Sequence, residues 1–117
     1  MVPRYWCPEP LTPAATRALA ASARLANTIE EADLFLFSID TPLKVLSAER
    51  EKIGSKLMIG YADTDPTLEQ RLRWIRAGAE DLVAVGDLPE TVQRLWRQLR
   101  TRDAQKVERS EEHTSEL

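Results

Sequence analysis

The chain has 117 residues, is 43% hydrophobic and 30% charged, and carries a formal net charge of −3. That is enough apolar sequence for one folded domain and too much for a disordered segment. No apolar run reaches the ~20 residues of a membrane-spanning helix, and the start lacks the basic and apolar regions of a secretory leader. With Cys7 the only cysteine and His113 the only histidine, an internal disulfide and a histidine-built zinc site are excluded, and a cytoplasmic location is expected.

The charge is uneven. Residues 109–117 carry one Arg and three Glu, leaving 15 basic against 16 acidic residues before them. That near balance argues against direct nucleic-acid binding. The tail itself, Arg-Ser-Glu-Glu-His-Thr-Ser-Glu-Leu, looks like the translation of a common sequencing-library adapter. A natural polar tail is the other reading. Either way the tail is expected to be disordered and the folded domain to span residues 1–108, with an output domain conceivable beyond it.

In chain order, Arg4 to Cys7 between prolines reads as a short strand ended by Pro8. Thr12 and Pro13 supply a helix cap and first position. The Ala-rich run Ala14 to Ala26 predicts a helix whose inner face is Ala15, Ala18, Leu19, Ser22, Leu25 and Ala26. Leu34 to Ile39 has no polar face in its first four residues, as expected of a buried parallel strand. Leu43, Val45, Leu46 and Ile53 predict a short helix closed by Gly54.

Lys56 to Tyr61 predicts the next buried strand. Asp65 and Pro66 read as the cap and start of a helix whose inner stripe is Leu68, Leu72 and Ile75, with Gly78 closing it. Leu82 to Val85 predicts a further strand. Asp87 and Glu90 read as a capping-box start to a last helix that buries Val92, Leu95, Trp96 and Leu99. Apolar strands alternating with amphipathic helices give an α/β, doubly wound parallel sheet of four to five strands.

Ala32-Asp-Leu-Phe-Leu-Phe-Ser-Ile-Asp-Thr-Pro42 resembles the third strand of response regulator receiver domains, which are CheY-like and flavodoxin-like in fold. There an Asp, four apolar residues and the phosphoacceptor Asp precede a Pro four positions on, so Ser38 stands at the acceptor position. Tyr61-Ala62 looks like the family's Thr/Ser-Ala pair. Ala77-Gly-Ala-Glu-Asp-Leu82 is similar to its Ala-Gly-Ala-Asp-Asp-Tyr signature, and Val85-Gly86 occupies the place of its Lys-Pro. Pro89-Glu90 matches its last helix start. The match covers roughly residues 32–100. A receiver has two βα units before this strand; here there is room for one, so an N-terminal unit is deleted or truncated.

The departures from that pattern concern chemistry. Aspartyl phosphorylation needs the carboxylate, an acidic pair for Mg²⁺, a small hydroxyl and a lysine. Ser38 replaces the carboxylate, Tyr61 the small hydroxyl and Val85 the lysine. Cys7 and Pro8 fall where the acidic pair belongs, leaving Glu9 alone. A rival register places Asp40 at the acceptor position, which breaks the spacing to Pro42 and still lacks the lysine. The degenerate pocket is therefore expected to comprise Glu9, Ser38, Asp40, Tyr61, Ala62 and Val85, with no catalytic residue, metal or cofactor. A metal site from Asp40, Asp63 and Asp65 is weighed against their simpler roles as turn and cap residues.

Trp74 among Arg71, Arg73 and Arg76 reads either as an exposed interface anchor or as a boundary residue packed on a neighbouring helix. Arg94, Arg97 and Arg100 extend the basic face; plain solvated charge is the other reading. The resemblance implies a protein partner or a homodimer through the last two helices. The expected function is a phosphorylation-independent signalling module of bacterial type. The alternative is a small-ligand or nucleotide-binding flavodoxin-like domain, although no Gly-rich phosphate loop is present.

Overall fold

The computed structural model describes residues 2–54 and 56–101; the expectations for residues 102–117, the tail included, lie outside them. Five parallel strands form one sheet in the order β2-β1-β3-β4-β5. They are β1 (Arg4–Trp6), β2 (Arg24–Leu25), β3 (Leu34–Ser38), β4 (Leu57–Ala62) and β5 (Asp81–Ala84). The helices are α1 (Pro13–Leu19), α2 (Leu43–Ile53), α3 (Leu68–Arg76) and α4, over 88–101 and entered through a 3₁₀ turn at Val85–Asp87. No helix among the described residues is long and apolar enough to cross a membrane.

The central strands are apolar on both sides because helices cover both faces. Leu34, Leu36, Leu57, Ile59 and Val83 pack with Ala15 and Leu19 of α1 and Val92 of α4. Phe35, Phe37, Met58 and Leu82 face the other way, onto Leu46 of α2 and Trp74 of α3. The side-chain period of a strand sends successive residues to opposite cores.

The N-terminal half departs from the expected helix over 14–26. The helix ends at Leu19, and the Arg24 and Ala26 N–H groups donate to the Pro3 and Tyr5 carbonyls at 3.0 and 2.8 Å. Sheet hydrogen bonds to β1 outweigh the helix propensity of the alanines. So Leu25, expected on an inner face, is 62% exposed. Between β2 and β3 there is a turn instead of a helix, in which Ala32 N–H donates to the Ile29 carbonyl. The shortening expected at the N-terminus is thus a second strand cut to two residues and a missing second helix.

Three local details also differ from expectation. Thr67, not Asp65, caps α3, in a capping box with Gln70. The segment around Asp87, read as a cap, is a 3₁₀ turn whose Asp87 carbonyl accepts the Thr91 hydroxyl at 2.9 Å. In α2, Leu46 and Ile53 are buried while Leu43 and Val45 are exposed, so the inner face is narrower than expected.

Candidate functional site

In a parallel sheet of this strand order, the crevice where the order reverses lies beyond the carboxyl ends of β1 and β3. The chain leaving β1 brings Pro8 and Glu9 there; the chain leaving β3 brings Ser38, Thr41 and Pro42. Tyr61, paired with Ser38 across β3 and β4, closes the side. Together they line a cavity of about 140 Å³.

The polar groups there are few. Ser38 Oγ accepts the Asp40 backbone N–H at 3.3 Å, a local turn contact that also fixes the exposed Asp40 outside the cavity. Tyr61 is 4% exposed. Burial raises its phenol above the usual range, against a backbone hydrogen bond at Thr12 that lowers it. Burial likewise raises the Cys7 thiol, opposed by a backbone hydrogen bond at Leu11. Both groups are held neutral at neutral pH, and neither serves as an anionic ligand or nucleophile. Among the described residues, Glu9 is the only carboxylate lining the cavity.

Of the six pocket residues expected from the sequence, the fold brings Glu9, Ser38 and Tyr61 together. Asp40, Ala62 and Val85 do not line the cavity; Val85 is buried in the core beside α4. Among the described residues no group of three or more His, Cys, Asp or Glu side chains could hold a metal.

The helical face carries the largest correction. Trp74, read as an exposed anchor or a boundary residue, is 3% exposed and lies on the sheet. Leu68, Leu72 and Ile75, read as the inner stripe, are 69%, 42% and 45% exposed. Gly60 is the reason. A Cβ there would come within 2.8 Å of Leu82 Cδ1 and closer still to the Trp74 ring, so its absence opens a slot for the indole on β4. Filling that slot rotates the aliphatic residues outward. A glycine inside a strand signals such a close approach, and this was the sign available in the sequence.

The expected arginines divide. Arg71 grips Asp81 of β5 through Nε and Nη2 at 3.1–3.2 Å, and Arg94 Nη2 lies 3.8 Å from the same carboxylate. Arg73 pairs with Glu69 along α3. Arg76 and Arg97 are exposed, with no ion pair found for either among the described residues. A further cluster was missed in the sequence. Arg50 of α2 donates to the Gly54, Lys56 and Gly78 carbonyls and to Glu80, whose other oxygen accepts the Met58 N–H. These partners are far apart in sequence, so no local pattern reveals them.

No protein-family model and no curated protein matches the chain. Solved structures do. A response regulator receiver domain protein (CheY-like) from Methanospirillum hungatei is similar at a TM-score of 0.61 and 16% identity, over 87% of this chain and 99% of that one. A receiver domain of a Francisella response regulator has a TM-score of 0.60 at 13% identity, over 83% and 98%. An orphan response regulator of H. pylori has a TM-score of 0.55 at 20% identity, over 77% and 92%. The chain has the CheY-like receiver fold.

Proposed function

We propose that this chain is a pseudo-receiver: a signalling module that keeps the receiver fold, does not depend on phosphorylation, and acts by binding protein through α3, β5 and α4. The observation that carries this reading is the cavity at the strand ends. It offers a serine hydroxyl where an acyl phosphate needs a carboxylate, one glutamate where a divalent cation needs more, and a neutral tyrosine ring on one wall. Serine cannot form the mixed anhydride, and Val85 in the core provides no charge to a phosphate.

A switch without its trigger has a fixed face to offer. Arg71 and Arg94 both hold Asp81, which ties α3 and α4 to the edge strand between them. The expected homodimer and the expected partner both belong to this face. The test is incubation with a small-molecule phosphodonor and Mg²⁺, followed by intact-mass measurement. No phosphoryl adduct is expected. An adduct lost on alkaline hydroxylamine treatment, the behaviour of an acyl phosphate, would overturn the reading.

A further inference from the structure

A cleft of about 470 Å³ lies at the other end of the sheet from the Ser38 cavity. Arg4 and Arg24 open β1 and β2, and Asp33 precedes β3, so the cleft sits at the amino ends of the strands. Val2, Glu31 and the Trp96 ring of α4 also line it. The shortened N-terminal unit produces it. With β2 two residues long and no helix after it, residues 26–33 turn straight back to the start of β3 and set Glu31 and Asp33 beside the two arginines. That turn is tied down. Lys56 Nζ donates to the Ile29 and Glu30 carbonyls at 3.3 and 2.9 Å, and Thr28 Oγ1 accepts the Glu31 N–H at 3.3 Å.

The groups around the cleft do not satisfy one another. Asp33 Oδ2 accepts the Arg4 backbone N–H at 2.9 Å, and Glu31 lies 3.7 Å from Arg4 Nη1, so both carboxylates are engaged at Arg4. Arg24 is exposed, and no ion pair is found for it among the described residues. Arg4 and Arg24 are partners in the parallel register, so their side chains leave the sheet on one face, like charge beside like charge. The Trp96 Nε1–H is buried with no acceptor among the described residues, an arrangement that costs about 1–3 kcal/mol. Both unmet groups are donors, and an indole and a valine offer apolar surface next to them. We propose that this cleft binds an organic monocarboxylate with an apolar body of about the size of one ring. Its carboxylate pairs with Arg24 and takes the Trp96 N–H, and its body lies against the indole and Val2. The volume falls in the ~300–1,000 Å³ range of small-molecule sites and is too large for a bare ion. A phosphate monoester fits less well, because its second charge meets Glu31 and Asp33. An amine fits less well, because the carboxylates it needs are already engaged.

The experiment titrates the full, isotopically labelled chain with hydrocinnamate, a carboxylate carried on a phenyl body. The Trp96 indole N–H signal, assigned through Trp96→Phe, is expected to shift saturably while the Trp74 indole signal holds still. Hydrocinnamamide has the same shape without the charge and should bind weaker by roughly tenfold or more, because a charge-assisted contact is lost. Phenyl phosphate should also bind more weakly than hydrocinnamate. Arg24→Gln should lower hydrocinnamate affinity by roughly tenfold, with circular dichroism confirming that the variant folds. No saturable shift, equal binding of acid and amide, or an affinity unchanged by Arg24→Gln would overturn the proposal. Shifts centred on Trp74 would overturn it by placing the ligand between α2 and α3. Tighter binding of phenyl phosphate would overturn it in favour of a phosphate ester. None of these outcomes bears on the Ser38 cavity, which the phosphodonor test decides separately.

Discussion

The Trp74 indole packs against Gly60, in a slot that no other residue at that strand position would leave open. One missing methyl group sets the rotation of α3. It buries a tryptophan that the arginines around it mark as a surface residue, and it turns Leu68, Leu72 and Ile75 toward water. The face through which the protein is proposed to act is therefore a consequence of β4.

Gly60→Ala tests that relationship. The new Cβ collides with two packed side chains, and overpacking of this kind costs about 1–3 kcal/mol. Urea unfolding should show that loss. Trp74→Ala should cost more, about 3–5 kcal/mol, as for other large truncations in a core. A stability unchanged by either substitution would mean that the indole is not in the slot.

Leu72→Ser is expected to behave in the opposite way. The residue is 42% exposed, so its loss should move stability by no more than about 0.5 kcal/mol. A cost of several kcal/mol would place Leu72 in the core and reverse the assignment of the two faces.

Arg50→Ala should be among the most damaging substitutions outside the apolar core. Its guanidinium ties the end of α2 to the start of β4 and to the Gly78 turn before β5. Removal strands several carbonyls and the Glu80 carboxylate. A loss of about 2 kcal/mol is expected, limited by the partial exposure of the group. Arg50→Lys should recover little, because an ammonium cannot span the same forked set of acceptors. Both are measured by urea titration.

Stability should also fall in alkali. Burial raises the Tyr61 phenol and the Cys7 thiol in the folded state, from ordinary values of 10.0 and 9.0. A group that holds its proton more tightly when folded stabilises the fold fully below its unfolded value. That contribution is lost as the pH rises through the folded one. The urea midpoint should therefore hold to about pH 8 and drop above about pH 9–10, with a shallower drop in Tyr61→Phe. An unchanged slope in Tyr61→Phe would show that the phenol is solvated.

Much of the fold is legible in the sequence, and the reasons are local. The apolar runs at Leu34 to Phe37 and Leu57 to Tyr61 have no polar face, so they announce a sheet covered on both sides. The spacing from Ser38 to Pro42 placed the cavity wall, and Glu9, Ser38 and Tyr61 meet there. What the sequence hid depends on contacts between distant residues. The Ala-rich run reads as helix to Ala26, yet β1 claims Arg24 and Leu25. The α3 stripe satisfies helical periodicity facing either way, and only the bare Gly60 decides which side goes in. Periodicity counts apolar residues; it does not say which set finds a matching hollow.

The central claim is that the cavity between β1 and β3 cannot hold a phosphoryl group. Its most direct test is a titration of the isotopically labelled chain with Mg²⁺ and beryllofluoride, a mimic of the acyl phosphate, followed through the backbone amide signals of Glu9, Ser38 and Tyr61. The account predicts no saturable change at any of them. Mg²⁺-dependent, saturable shifts centred on those residues would contradict it.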